Sequence, residues 1–189
     1  MRTLKLQMQV SVDGYVGGLN GELDWMLWDW SEDLKKFVGD LTDPIDCILM
    51  GRKMTDGFVQ AWKKVRDDPQ NPMREAGIKF YDTTKVVFTK TFQKSTWENV
   101  VLAKGDIEEE VKKLKNQKGG DLMVYGGSNF VMNLIKHNLI DDYYLFINPT
   151  AQGHGNGLPI FSERKKLKLI KSQAFECGIV LLNYKPADS

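Results

Sequence analysis

Three short segments combine glycine, hydroxyl and basic side chains as phosphate-binding turns do. They are Gly51-Arg52-Lys53, Thr89-Lys90 and Gly126-Gly127-Ser128, and each follows an apolar run that predicts a strand. A helix that begins beyond such a turn offers free N–H groups and a partial positive charge. Arginine and lysine at these places suit a pyrophosphate or a 2′-phosphate. The alternatives are solvated surface charges and a tight diglycine turn without a ligand.

The elements that would position these turns alternate along the chain. The spacing of apolar residues predicts strands over Leu4–Val12, Ile45–Met50, Lys85–Thr89, Trp97–Leu102, Leu122–Tyr125, Asp142–Asn148, Leu167–Phe175 and Gly178–Tyr184. It predicts helices over Glu32–Leu41, Arg52–Val59, Ile107–Gln117 and from Ser128, as N-cap, to Leu139. Leu4–Val12 alternates apolar and polar residues, which indicates a half-buried strand. Ala61–Ile78 is polar and holds two prolines, which favours a surface loop with a short helix.

This order of elements favours an α/β fold in one domain, residues 1–189. The sheet should be mostly parallel, with the two C-terminal strands antiparallel because no helix separates them. Since parallel strands end at one edge of a sheet, we expect the three glycine and lysine turns to line up there.

Composition excludes several classes of function. The 189 residues carry a net charge of +1, which gives no reason to expect a nucleic acid or a membrane partner. Two cysteines cannot build a zinc site alone, and no metal is expected. No long apolar run precedes Asp13, so neither a signal peptide nor a membrane anchor is indicated, and we expect a cytoplasmic protein.

Several motifs resemble those of dihydrofolate reductases. ILMGRKMTDGF resembles that family's strand, Gly-Arg and helix signature, VVFTKT its next cofactor strand, and LMVYGGSNF its diglycine turn. The order matches over roughly residues 4–184. SVDGYVGG and the segment from GGSNF to GLPIF are more similar to the reductase domain of bifunctional riboflavin-biosynthesis deaminase-reductases and their stand-alone relatives. The resemblance implies a three-layer αβα fold of the dihydrofolate reductase type.

The resemblance also implies NADPH as cofactor. Carried over by position, the residues that would hold the phosphates and the nicotinamide side are Gly51, Arg52, Lys53, Met54, Gly126, Gly127, Ser128 and Asn129, with Thr89 and Lys90 at the adenosine 2′-phosphate. The related reductases carry a cis peptide within the diglycine, which is therefore expected here. Tyr125 departs from the riboflavin branch, where an acidic residue often precedes the glycines, and this leaves the pyrimidine substrate open.

Hydride transfer often needs a proton donor as well as orientation of the reactants. Asp33-Leu34-x-x-Phe37 resembles the folate-reductase helix motif, and the two outer residues lie one turn apart, so both can face one cleft. Shelter under Trp25 and Trp28 would raise the pKa of Asp33, whereas the helix N-terminus would lower it. Asp13 and bound water are the other candidate donors. The alternatives are a first-turn acid at Asp33 and an Asp-Gly turn residue at Asp13.

Three functions follow as hypotheses. The first is an NADPH-dependent reductase of a small heterocyclic or carbonyl substrate, with Trp25, Trp28 and Phe37 against the substrate. These aromatics could equally be core or interface residues. The second is the riboflavin-biosynthesis reduction of 5-amino-6-(5-phosphoribosylamino)uracil, and the third is a non-catalytic nucleotide-binding dimeric module. A homodimer through the apolar C-terminal strands is expected, because a terminal strand exposes an edge that needs cover.

Overall fold

The computed structural model describes residues 1–187, which form one sheet flanked by helices. The strands are β1 (Leu4–Ser11), β2 (Ile45–Gly51), β3 (Thr84–Phe88), β4 (Val100–Ala103), β5 (Asp121–Val124), β6 (Asp142–Asn148), β7 (Leu167–Ala174) and β8 (Val180–Pro186). The helices are α1 (Glu32–Thr42), α2 (Arg52–Asp67), α3 (Arg74–Asp82), α4 (Ile107–Asn116) and α5 (Ser128–Lys136). None of these helices is long and apolar enough to cross a membrane.

The sheet has the order β4-β3-β2-β5-β1-β6-β8-β7. From β4 to β6 every neighbouring pair is parallel, whereas β6–β8 and β7–β8 are antiparallel. The predicted mostly parallel sheet with antiparallel C-terminal strands is therefore confirmed. The β7–β8 pair is antiparallel because residues 175–179 form a short connection that can only reverse the chain, whereas a parallel return needs a crossover.

Helices cover both faces of the sheet, which confirms the three-layer αβα arrangement. On one face, α4 and α5 bury Val111, Val131 and Leu134 against Leu4 and Leu6 of β1. On the other face, α1, α2 and α3 pack against a second cluster, whose fully or largely buried members include Leu34, Ile48, Phe80, Met123 and Phe146. Each strand of the centre thus contributes side chains to two separate cores.

The first strand is more deeply buried than the half-buried strand expected from its alternation. β1 lies between β5 and β6, and its polar residues face the α1 side of the sheet instead of solvent. Gln7 is only 7% exposed and Ser11 is fully buried. Alternation predicted two unlike faces correctly, but a central strand in a three-layer fold has no solvent face for the polar one.

Of the surface loop with a short helix expected over Ala61–Ile78, the short helix is present as α3, but the extended loop is wrong. α2 continues to Asp67 and α3 begins at Arg74, so the two prolines occupy only the turn between them. The helices cross closely at Gly77, where a Cβ would lie 2.7 Å from the Arg66 backbone nitrogen. Trp62 and Phe80 join them with ring centroids 4.5 Å apart. Tertiary packing of this aromatic face outweighs the polar composition of the segment.

Candidate functional site

The three turns singled out in the sequence meet at one edge of the sheet. β3, β2 and β5 are neighbours and run parallel, so Thr89, Gly51 and Gly126 follow adjacent strands at their carboxyl ends. Ligands of open α/β sheets bind outside this edge.

Two of these turns open helices whose N-termini lack side-chain caps. α2 begins after Gly51 and α5 after Gly127, and neither helix has a capping side chain or an acidic residue in its first turn. α4 shows the usual arrangement instead, with the Asp106 carboxylate accepting from two backbone N–H groups. The first-turn N–H groups of α2 and α5 therefore remain available beside each other for an anion.

The two helix starts are fixed by packing against each other's glycine. A Cβ at Gly51 would lie 3.0 Å from Cβ of Phe130 in α5. A Cβ at Gly126 would lie 3.1 Å from Sδ of Met54 in α2. The Met54 side chain of α2 thus packs directly against the diglycine turn. Any larger side chain at Gly51 would push the two N-termini apart.

Two expectations about the diglycine turn are wrong. Ser128 is not the N-cap; that position belongs to Gly127, whose φ of +81° is a left-handed conformation that favours glycine. The Ser128 hydroxyl instead donates to the carbonyl of Pro159 at 3.0 Å. The Gly126–Gly127 peptide is trans, and residues 1–187 contain no cis peptide bond. The segment around Pro159 therefore covers the start of α5.

Basic side chains surround this edge without acidic partners. In the described part of the chain, none of the ion pairs involves Arg52, Lys53 or Lys90. Lys53 and Lys90 are exposed, and the Arg52 guanidinium lies 5.3 Å from the centre of the Phe92 ring. Because unpaired cations beside open helix ends add to the same positive potential, the edge is suited to phosphate groups.

Thr89 organises the loop that carries Lys90. Thr89 is buried, and its hydroxyl accepts hydrogen bonds from the backbone N–H groups of Thr91 and Phe92, both at 3.2 Å. Trp97 holds the far end of the loop against α2, since its indole N–H donates to Asp56 at 3.0 Å.

Asn129 lies exposed in the first turn of α5.

Asp33 lies at the start of α1 and connects it to the β7–β8 turn. Its carboxylate accepts from the Ser31 hydroxyl at 2.5 Å, from the Leu34 N–H at 2.8 Å and from the Glu176 N–H at 3.2 Å. The Ser31 hydrogen bond is the main reason that the pKa of Asp33 lies below its ordinary value. Trp28 is 65% exposed and gives no shelter. These contacts favour an ionised carboxylate over the expected proton donor.

Asp13 has a comparable role at the end of β1. Its carboxylate accepts from the Ser11 hydroxyl at 2.6 Å and from the backbone N–H groups of Gln152 and Gly153 at 3.0 and 2.7 Å. These bonds, led by that of Ser11, lower the pKa of Asp13. The carboxylate thereby closes the glycine-rich segment 151–157 onto the end of the central strand.

The aromatic residues proposed for the substrate divide between two environments. Phe37 belongs to the core, with its ring centroid 5.6 Å from that of Phe175 and 6.2 Å from that of Phe146. Trp25 is half-buried and donates its indole N–H to the Glu22 carbonyl at 3.1 Å, and Trp28 extends into solvent. The structure therefore does not bring these three side chains into one cluster.

A polar row on β1 was not predicted from the sequence. β5 pairs with β1 only over Leu4–Leu6, so the carboxyl half of β1, residues 7–11, has no strand on that side. Gln7 and Gln9 lie along this half, and the Gln9 amide oxygen accepts from the Asn148 side chain at 2.7 Å. The sequence signal that could have revealed this row is the pair Gln7-x-Gln9. Two amides on one face of a strand are unusual where helices cover both faces of the sheet.

Comparison with known proteins agrees with this architecture. The family model of the RibD C-terminal domain matches residues 2–181. The uncharacterised Bacillus subtilis protein YyaP is 33% identical over 184 residues, which are 97% of this chain and 94% of YyaP. A Shewanella sp. PV-4 structure provisionally described as a riboflavin biosynthesis protein has a TM-score of 0.72 and 23% identity, with full coverage of both chains.

A second solved structure is the Thermotoga maritima diaminohydroxyphosphoribosylaminopyrimidine deaminase/5-amino-6-(5-phosphoribosylamino)uracil reductase. It has a TM-score of 0.68 and 18% identity, and the match covers 98% of this chain and 57% of that one. At these identities the two structures establish the fold, which is of the dihydrofolate reductase type, as expected from the sequence motifs.

Proposed function

Because this chain belongs to the RibD C-terminal domain family, we propose that it is an NADPH-dependent reductase that transfers a hydride to a small heterocyclic or carbonyl substrate. The observation that carries the proposal is the pair of open helix N-termini at Gly51 and Gly127. The two helices begin at the carboxyl ends of the neighbouring strands β2 and β5, and unpaired cations flank them.

The residues at this edge fit a dinucleotide phosphate. N–H groups at the starts of α2 and α5 would bind the pyrophosphate, with glycine at both N-caps where the ligand approaches the backbone. Arg52 and Lys53 would neutralise its charge, and Lys90 with the Thr89 loop would meet a 2′-phosphate. Ser128 and Asn129, in the first turn of α5, would lie on the nicotinamide side.

The open half of β1 supports the remaining part of the proposal. When bound, NADPH supplies a hydride from its reduced nicotinamide ring. Beyond Leu6, β1 has no strand beside it on the side where β5 ends, next to the diglycine turn, so the backbone groups of Gln7 and Gln9 have no strand partner there. Such groups can orient a flat carboxamide-bearing ring, because each residue offers one N–H donor and one carbonyl acceptor.

The two carboxylates considered as proton donors, Asp33 and Asp13, do not favour that role. Hydrogen bonds lower the pKa of both Asp33 and Asp13. An acid that is ionised at neutral pH has no proton to donate, so we assign proton delivery to bound water and assign the two carboxylates to holding the loops around the site.

Reduction of the phosphoribosylamino-pyrimidine of riboflavin biosynthesis is the second candidate. The family match and the uracil reductase activity in the Thermotoga maritima protein's name favour it. Tyr125 is the departure that separates the candidates, since the riboflavin branch often has an acid there. Growth rescue of a riboflavin auxotroph by this chain would favour the pathway reaction; turnover of other heterocycles without rescue would favour the first candidate.

Cofactor titration tests the proposal directly. We expect NADPH to bind more tightly than NADH, and Lys90→Ala to weaken NADPH by about three- to tenfold while leaving NADH unchanged. Lys64→Ala, at an exposed position in the last turn of α2, is the matched control and should change neither affinity. Equal affinity of the wild-type protein for both cofactors, or binding of neither, would refute the proposal.

A further inference from the structure

Two Asn-Gly sequences, Asn20-Gly21 and Asn156-Gly157, lie on the two loops that an isolated bridge joins at Gly18 and Gly157. In an Asn-Gly pair the backbone nitrogen of the glycine can attack the side-chain carbonyl carbon of the asparagine. Glycine allows this approach because it carries no side chain that hinders it. Both asparagines are exposed, so exposure alone does not distinguish the two pairs.

Hydrogen bonds hold the groups of Asn20-Gly21 that this reaction needs. The nucleophile, the Gly21 N–H, donates to the Gly18 carbonyl at 2.9 Å. The Asn20 side-chain amide donates to Glu22 Oε1 at 2.7 Å, and the Asn20 backbone N–H donates to Glu22 Oε2 at 3.0 Å. The side-chain bond is the main reason that the pKa of Glu22 lies below its ordinary value. Because a bond to an ionised carboxylate is stronger than a neutral one, the turn restricts the rotation of the Asn20 side chain.

Asn156-Gly157 lacks both restraints. Gly157 faces Gly18 in a bridge whose hydrogen bond comes from the N–H of the next residue, Leu158. The Gly157 N–H itself has no hydrogen-bond partner within residues 1–187. The Asn156 amide makes only a long hydrogen bond, to the Gln152 carbonyl at 3.4 Å. The nucleophile and the side chain that precedes it are therefore free to meet.

The backbone at Gly157 has no room for an additional atom. Gly157 is buried, and a Cβ there would lie 2.4 Å from Cγ of Tyr15. Beside it, the Val16 N–H donates to the Leu158 carbonyl at 2.9 Å and joins the two loops. The segment continues to Pro159, whose carbonyl accepts from the first residue of α5 at 3.0 Å. A longer main chain at this point would disturb the contact between the loops beside the start of α5.

We propose that Asn156 is a site of spontaneous modification, at which its side-chain amide is converted to isoaspartate or aspartate. The Gly157 nitrogen gives its proton to a solvent base and forms a bond to Cγ of Asn156. The bond from Cγ to Nδ2 breaks, and Nδ2 leaves as ammonia after taking a proton from water. A water molecule then opens the resulting cyclic imide at either of its carbonyls. Isoaspartate carries the main chain through Cβ and Cγ, which lengthens it by one carbon atom and loosens the contact between Val16 and Leu158.

Incubation of the folded protein in heavy-oxygen water at mildly alkaline pH tests the site. Each conversion takes up oxygen from the solvent, so peptide mass spectrometry separates it from conversions that occur before incubation or during digestion in ordinary water. We expect Asn156 to convert at least about tenfold faster than Asn20, because two hydrogen bonds must open before Asn20 can react. No conversion of Asn156, or conversion of Asn20 at the same rate, would overturn the proposal.

The unfolded protein and two variants test the structural reason for this difference. In concentrated urea, where both loops are unfolded, the two pairs should react at similar rates; a ratio as large as in the folded protein would contradict the role of the hydrogen bonds. Glu22→Ala removes both bonds to Asn20 and should accelerate its conversion, and an unchanged rate would contradict the same role. Asn156→Gln should abolish conversion at this position, because the longer side chain closes a larger ring much more slowly.

Hydrogen exchange tests the loosening of the loop contact. The isoaspartate form, separated chromatographically, should lose protection at the N–H groups of Val16 and Leu158. Asn156→Asp is the matched control, because it carries the new charge without the additional main-chain atom, and it should keep this protection. Equal protection in the two proteins would overturn the proposed loosening. These measurements need neither cofactor nor substrate, so their outcome is independent of the reductase proposal.

Discussion

Lys85 provides a quantitative test of how burial controls charge in this fold. It lies fully buried near the start of β3, where its ammonium donates to the Tyr81 carbonyl at the end of α3. No carboxylate forms an ion pair with it among residues 1–187, and burial lowers its pKa from 10.5 to about 8. We therefore expect Lys85→Met to stabilise the protein at neutral pH.

The magnitude follows from the pKa difference between the folded and unfolded states. The unfolded chain holds this proton up to pH 10.5 and the folded protein only up to about pH 8. Stability therefore rises with pH between these values, and at pH 7 the buried charge costs roughly 3 kcal/mol. Losing the bond to Tyr81 costs about 1 kcal/mol, which leaves a net gain of about 2 kcal/mol for Lys85→Met.

Urea denaturation at pH 7 and pH 10 measures this difference. The variant should be more stable than the wild-type protein at pH 7 and slightly less stable at pH 10, where the amine of Lys85 is already neutral. Lys115→Met is the control, because Lys115 is also buried but pairs with Asp141 at 2.6 Å, so its loss should destabilise at pH 7. A stability difference for Lys85→Met that does not change with pH would refute the reasoning.

Three further predictions concern the site and the assembly. Gly51→Ala should weaken NADPH binding by about tenfold, measured by fluorescence titration, because its Cβ would lie 3.0 Å from Phe130; unchanged affinity would contradict the packing argument. Asp33→Asn should keep the shape of the pH–rate profile between pH 5 and pH 9, because the pKa of this carboxyl is already lowered; loss of a limb in that range would restore the proton-donor role. We also propose a homodimer through the edge strand β7, where Leu169 and Ile170 are about half exposed, and a monomer in sedimentation at micromolar concentration would rule it out.

Much of the fold could be predicted because its signals are local. Strand β6 was predicted at its observed bounds, and the antiparallel ending followed from one short connection. The errors in element boundaries arose where contacts between residues far apart in the chain determine the structure. The start of α5 moved to a Gly127 cap because the Ser128 hydroxyl binds a carbonyl 31 residues away. The length of α2 depends on aromatic packing against α3, which the polar sequence does not reveal.

The same distinction between local and distant contacts applies to the candidate site. The three turns were found because strand, glycine and helix follow one another in sequence. The polar row of β1 was missed because Gln9 acquires its direction from Asn148 and Leu27, which lie far from it in the chain. The carboxylates were identified, and the serine hydroxyls that contribute most to lowering their pKa values, Ser31 and Ser11, lie only two residues away in the chain. The further hydrogen bonds from Glu176 and Gln152 come from distant segments and could not be foreseen.

The position of β1 has a consequence for the order of folding during synthesis. β1 is translated before the other strands of the sheet, yet the Leu4 N–H donates to Asp141, 137 residues later. At ribosomal rates of about 5–20 residues per second, roughly 7–30 s separate the two. In a circular permutant opened within residues 12–31, β8 is joined to β1, so β1 is translated last. The time between the synthesis of Asp141 and that of Leu4 is then shorter. The join is short, because β1 and β8 both flank Tyr143 of β6. Its lower contact order should make it fold faster than the natural chain.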